Sequence, residues 1–111
     1  MRKKYPLKGD YIWVSFDPSE GHEQKGRRPA IVVSSNHLNK AGLVWALPIT
    51  NTTDGKCRIV LPEGEAVKGA VLFTQIKTLD LESRSFTIAG AASDEVLEEV
   101  IGKADAILIS D

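Results

Sequence analysis

The sequence predicts a mainly β domain with α, a small, closed or nearly closed β-barrel on which one C-terminal amphipathic helix packs. Three observations lead there. Short apolar segments of strand length recur along the first four-fifths of the chain, separated by turn residues, and no helix-length segments alternate with them as a βαβ sheet would require. From Ser93 onward the hydrophobic period changes from two to about 3.6. The composition, 42% hydrophobic and 26% charged, is that of a chain that folds alone, and one domain over residues 1–111 is expected.

The elements follow in order. Residues 10–16 alternate, with Ile12, Val14 and Phe16 on one face and Tyr11, Trp13 and Ser15 on the other. The turn residues 17–21 end that strand, and a polar stretch, 22–28, leads into a strand at 30–33 that reads as buried on both faces. Asn36 is placed to cap a single helical turn reaching Ala41, with Gly42 stopping it. Residues 43–49 form a third strand, in which Pro48 argues for an edge or a bulge. Asp54-Gly55 resembles a hairpin turn into a fourth strand at 56–61, and two more are expected over 69–79 and 85–89. Ser93 caps the final helix, Asp94 and Glu95 suit its positive end, and Leu97, Val100, Ile101, Ala104 and Leu108 form the stripe expected to face the barrel.

Several function classes drop out. Fourteen basic and fifteen acidic residues give a net charge of −1, so attraction to nucleic acid must come from a local patch. A single cysteine, Cys57, argues for a reducing compartment, with the cytoplasm as default, and no apolar run is long enough to span a membrane. Cys57 itself reads as a packed or half-exposed thiol on a strand. Two histidines, His22 and His37, without metal-ligand spacing, and the lack of any Gly-rich phosphate loop leave no cofactor implied.

Three polar clusters remain as candidates for chemistry. Residues 21–29 pack His22, Glu23, Gln24 and the cations Lys25, Arg27 and Arg28 between two apolar strands, with Gly21 and Gly26 free to bend. Pro29 biases Arg28 toward extended backbone where the strand begins, so its guanidinium sits on the barrel surface. Residues 50–53, Thr-Asn-Thr-Thr, end the third strand, and alternation can turn Thr50 onto the same surface as Arg28. In residues 74–80, Gln75, Lys77 and Leu79 share one side of a strand. Trp13 and Trp45 read as core or dimer interface and are left out of the site.

In order along the chain, Gly9-Asp10-Tyr11-Ile12-Trp13-Val14, Phe16-Asp17-Pro18, Gly21-His22-Glu23-Gln24, Arg28-Pro29-Ala30-Ile31-Val32-Val33, Pro48-Ile49-Thr50 and Gln75-Ile76-Lys77-Thr78-Leu79-Asp80 resemble the MazF/PemK family of toxin endoribonucleases. The resemblance runs from residue 9 to about 81. It implies an SH3-like barrel, a homodimer, cleavage of single-stranded RNA without a metal, and a cognate antitoxin whose acidic disordered tail lies across the active groove. It also implies that Arg28 and Thr50 are the catalytic pair and that His22, Glu23 and Gln24 lie by the same groove. Where some relatives carry an acidic residue before the later glutamine, this chain has Thr74, which removes a general base from that position.

The residue types agree with that chemistry. Attack of a 2′-OH on phosphorus builds a crowded anionic phosphorane, which a planar Arg28 guanidinium can bridge while the Thr50 hydroxyl donates a further hydrogen bond. Glu23 and His22 are both candidates for the general base. Gln24, Gln75 and Asn36 can bond base edges, and Lys77 can hold backbone phosphate. Two alternatives belong to other classes: a non-enzymatic toxin of the same fold that poisons a protein target such as DNA gyrase, and a plain SH3-like module for Pro-rich peptides, which the low aromatic content (6%) disfavours.

Overall fold

The computed structural model describes residues 5–16 and 27–109. Among them the chain forms seven strands and two helices: β1 (Asp10–Ser15), β2 (Arg27–Val32), α1 (Asn36–Lys40), β3 (Leu43–Thr50), β4 (Arg58–Val60), β5 (Ala70–Leu72), β6 (Lys77–Asp80), β7 (Phe86–Ala91) and α2 (Asp94–Ile109). Every pairing is antiparallel, in the order β4-β5-β3-β2-β1-β7, with β6 also bonded to β3. The mainly β architecture with a C-terminal helix is the one the sequence predicts. The barrel is not closed by a ladder, because β4 and β7 stand at opposite ends of the path.

Alternation along the strands builds two hydrophobic clusters, one on each face of the sheet. Tyr11, Ile31, Leu47, Ile49 and Val71 join Val96 and Val100 of α2 in the first. Ile12, Val14, Ala30, Val32, Val44, Ala46 and Leu79 make the second. Adjacent residues of β1 and β2 thus go to opposite clusters, which is why residues 30–33 read as one continuous apolar run. Each fully buried aliphatic side chain contributes about 1.5–3 kcal/mol, so the two clusters hold the sheet from both sides.

β3 organises the molecule. One edge pairs with β2 in the register Ala30↔Pro48, Ile31↔Leu47 and Val32↔Ala46. Its other edge changes partner along its length, pairing with β6 from Leu43 to Ala46 and with β5 at Ile49 and Thr50. Pro48, which has no N–H to donate, falls in the gap between the two partners. This divides the single strand expected over residues 69–79: the Gln75 N–H bonds the Leu72 carbonyl at 3.1 Å in a turn, and β5 and β6 lie on either side of it.

Other expectations are corrected. Asp54-Gly55 is no hairpin turn, since β5 lies between β3 and β4. Gly69 permits this: at φ +126 its Cα packs so closely that a Cβ would lie 2.4 Å from the Thr50 carbonyl oxygen. Cys57 is exposed at φ 58 ahead of β4 and not on a strand. The α1 cap is Ser35, whose hydroxyl accepts from the Leu38 N–H, because the Asn36 side-chain oxygen accepts the Lys8 N–H at 2.8 Å instead. Ser93 caps α2 as expected, accepting the Val96 N–H at 3.2 Å. The helix buries Val96 and Val100, however, while its last turn stands clear of the sheet, with Leu108 70% exposed. Neither tryptophan is in the core: Trp13 is 41% and Trp45 45% exposed.

The two glycines Gly69 and Gly102 make opposite predictions. Gly69→Ala forces a left-handed residue against the Thr50 carbonyl and is expected to destabilise the fold by at least about 1 kcal/mol. Gly102 lies inside α2 with open space around it, so Gly102→Ala is expected to stabilise by about 0.5–1 kcal/mol. Denaturant midpoints of the two variants against the parent check both signs.

Candidate active site

The β2–β3 register determines what stands opposite what. The paired register ends at Ala30↔Pro48, and the strand ends beyond it carry Arg28 and Thr50 to one cleft. On its other side Arg28 pairs with Val14 of β1, and Pro29 with Trp13. The strand ends open into a cleft of about 690 Å³ lined by Trp13, Arg27, Arg28, Pro29, Ile49 and Thr50. That volume lies within the roughly 300–1,000 Å³ of ligand sites, enough for a segment of an extended chain. Asn51 and Thr52 continue the wall, and residues 65–68 face it from across.

Arg28 is exposed within β2, where Pro29 holds it extended as the sequence predicts. Its neighbour Arg27 reaches across the sheet, donating from Nη2 to the Trp13 carbonyl and the Thr87 hydroxyl, both at 3.4 Å. Arg27 thereby ties the cleft wall to β1 and β7, while Arg28 presents its charge to the opening. Thr50 is half-buried, and its Oγ1 accepts the Thr52 N–H at 3.2 Å. A hydroxyl oxygen used as acceptor keeps its own proton to donate. Thr52 is held by Arg58, whose Nη1 donates to the Thr52 carbonyl and whose guanidinium packs on Gly55.

The opposite wall includes residues that sequence reasoning missed. The Glu65 Oε1 accepts the Tyr11 hydroxyl at 2.6 Å and the Ser93 N–H at 3.2 Å, so the loop is bound to β1 and to the start of α2. A Cβ on Gly90, opposite Tyr11 in a β7 bulge, would meet the Ala66 Cβ at 2.9 Å, a second point of close packing. Lys68 adds a cation to the rim. No spacing in the sequence pairs Tyr11 with Glu65, fifty-four residues apart. Trp13 also lines the cleft, contrary to its assignment to core or interface.

The other expected site residues are distributed unevenly. His22, Glu23 and Gln24 lie outside the described residues. Asn36 is on α1, beyond the far end of β2, with its side-chain oxygen engaged by the Lys8 N–H. Gln75, in the turn after β5, and Lys77, at the start of β6, are exposed but do not line this cleft.

A model of the family described as PemK-like, MazF-like toxin of type II toxin-antitoxin systems matches residues 7–108. The chain belongs to that family. It is 35% identical over 104 residues to the endoribonuclease toxin MazF of Escherichia coli K12, an alignment covering 93% of this chain and 94% of that protein. It is 36% identical over 115 residues to the endoribonuclease toxin ChpB of the same organism, covering 97% and 98%. Among solved structures, MazF from Deinococcus radiodurans superposes with a TM-score of 0.82 at 38% identity, over 96% of this chain and 98% of that one. A MazE-MazF structure from the same organism gives 0.82 at 32% identity, covering 98% and 100%. No helix among the described residues is long and apolar enough to cross a membrane.

The Tyr11–Glu65 pair gives the toxin a pH signature. Burial, the hydrogen bond to Glu65 and that group's charge push the Tyr11 phenol above its ordinary 10.0. Burial works to raise Glu65, but hydrogen bonds from Tyr11 and Ser93 hold its carboxyl below the ordinary 4.5. The raised phenol stabilises the fold fully below pH 10, a contribution lost as pH rises past it; the lowered carboxyl stabilises above pH 4.5, and this is lost on acidification. Thermal unfolding across pH is expected to show a shallower alkaline decline in Tyr11→Phe and a shallower acid decline in Glu65→Gln than in the parent.

Proposed function

We propose that this endoribonuclease toxin cleaves single-stranded RNA at a short preferred sequence, without a metal ion, by attack of a ribose 2′-OH on the adjacent phosphorus. The P–O5′ bond breaks as the new P–O2′ bond forms. The 2′-OH proton passes to a general base, Glu23 or His22, and the departing 5′ oxygen takes up a proton, leaving a 2′,3′-cyclic phosphate and a 5′-OH. The observation that carries this reading is the shared cleft of Arg28 and Thr50. In it Arg28 bridges two phosphoryl oxygens and the Thr50 O–H donates to one of them as negative charge builds.

The surroundings supply binding. Arg27, Arg28 and Lys68 make a local positive field in a chain of net −1, and the exposed Trp13 ring offers a stacking face to a base. Gln24, Gln75, Asn36 and Lys77 extend contacts to base edges and backbone beyond the cleft. The toxin acts in the cytoplasm as a homodimer, to which the exposed Leu43, Trp45 and Ile76 contribute apolar surface. A cognate antitoxin restrains it by laying an acidic, disordered tail along the same cationic cleft, a role in keeping with the similarity to MazE-MazF structures.

The test is cleavage of RNA oligonucleotides in EDTA with product ends identified. Cleavage is expected to persist, to yield cyclic phosphate and 5′-OH ends, and to vanish when the sugar 5′ to the cut lacks its 2′-OH. Arg28→Ala and Thr50→Ala are each expected to lower kcat by roughly 10²–10³-fold. Arg28→Lys should recover part of the loss, and Thr50→Ser most of it. Full activity on the 2′-deoxy substrate, or in either alanine variant, would refute the mechanism.

A further inference from the structure

Glu65 is the one carboxylate among the described residues that line the cleft, and a carboxylate is out of place where phosphates are to bind. It faces a wall carrying Arg28 and Thr50, so a phosphate near it would meet like charge. The loop that carries it is fastened at several points: to Tyr11 and Ser93 through Glu65 itself, to Gly90 through Ala66, and to Thr50 through the close approach of Gly69. Such fastening gives one oxygen of the carboxylate a fixed assignment. The Tyr11 O–H and the Ser93 N–H both end on Oε1, the Ser93 hydroxyl is a further partner of the carboxylate, and Oε2 takes neither of the first two bonds.

We propose that Glu65 is a specificity-determining residue of the toxin: its Oε2 accepts a hydrogen bond from the exocyclic amino group of one base of the bound RNA, so that position selects adenine, cytosine or guanine and rejects uracil. This rests on the endoribonuclease reading of the cleft and adds to it which chemical feature of the substrate is read. The match is one of donors and acceptors. A carboxylate has only acceptors, amino groups only donors, and uracil carries no amino group. The anion persists at neutral pH because its hydrogen bonds from Tyr11 and Ser93 favour the charged form. It therefore serves as a fixed acceptor and is a poor proton acceptor for catalysis, which needs a group poised near the working pH.

The same geometry predicts what the isosteric variant does. In Glu65→Gln the Tyr11 and Ser93 donors both require an acceptor at the Oε1 position, so the amide oxygen lies there and the NH2 group points into the cleft. The requirement for an amino group at that base position is then expected to be lost, with uracil, whose keto oxygens can accept from the amide NH2, admitted there.

The experiment has two arms. In the first, parent and Glu65→Gln cleave a randomised single-stranded RNA pool, and the sequences at the new ends are compared; thermal unfolding verifies that the variant is folded. One position of the motif is expected to lose its amino-base preference by roughly ten- to a hundred-fold, while the cut bond stays the same. In the second, the parent protein cleaves oligonucleotides in which each amino-bearing base of its motif is replaced in turn by the analogue lacking that group: purine riboside, inosine or 2-pyrimidinone. One replacement is expected to lower kcat/KM by a similar factor, and this arm decides the matter if Glu65→Gln does not fold. A parent that cuts no RNA overturns the endoribonuclease reading itself, and this inference with it. A parent that cuts, but whose motif survives both the substitution and every amino deletion, overturns this inference alone. An unchanged motif combined with weakened antitoxin inhibition assigns Glu65 to the protein partner and likewise overturns it.

Discussion

The register between β2 and β3 is the constraint on which the site depends. Side chains alternate across a strand, so a slip of one residue would exchange the two hydrophobic clusters and turn every inward group of β2 outward. Ala30, Ile31 and Val32 prevent such a slip, because they pack into opposite clusters in strict alternation and are completely buried. With that register held, Arg28 at the start of one strand and Thr50 at the end of the other come to line one cleft. Two polar groups twenty-two positions apart are thus brought to one cleft by apolar packing several residues away, and neither has to contribute to the fold.

Around that pair the fold uses close backbone approach to place its loops. Pro48 ends one pairing of β3 and makes room for the next, and β5 enters beside Thr50 because Gly69 has no Cβ to obstruct it. The loop leading to Gly69 then crosses the open side of the strand ends and completes the cleft. Leu61 and Val67 anchor the two ends of that loop in the larger cluster, while residues 62–66 between them carry little apolar surface. That polar middle is fastened by the Ser93 N–H and by the Tyr11 hydroxyl, a polar tip on a ring otherwise buried in the larger cluster. The ring supplies the stability and the hydroxyl supplies the aim.

The electrostatics follow from locality. A chain with one more acidic than basic residue has no long-range attraction for RNA, yet Arg27, Arg28 and Lys68 converge on one cleft. At physiological ionic strength charges are screened beyond about 8 Å, so convergence within a single cleft counts for more than the total. Arg27 and Arg28, adjacent in sequence, both line the cleft but differ in use: the first is bonded to β1 and β7, and the second is exposed.

The sequence by itself determined the class of the fold, the alternation of β1, β2 and β3, the Ser93 cap of α2 and the extended backbone of Arg28, because each depends on periodicity or on a residue's own backbone preference, as Pro29 acts on Arg28, whereas the choice of Arg28 and Thr50 as a pair came from the family resemblance. Membership of the toxin family was legible too, from short motifs in a fixed order. What only the tertiary structure decided was the path between those elements. The strand expected over 69–79 divides, and the hairpin expected at Asp54-Gly55 is replaced by an interposed β5, because strand partnership depends on which backbones can approach, and no local pattern reports the contact between Gly69 and Thr50. The exposure of Trp13 at the cleft and of the end of α2 was hidden for a related reason, since an apolar residue is compatible with core, interface or binding surface until its neighbours are known. Glu65 carries no local signature at all: its role arises from a tyrosine hydroxyl and a backbone N–H that the chain brings to it from fifty-four positions before and twenty-eight after.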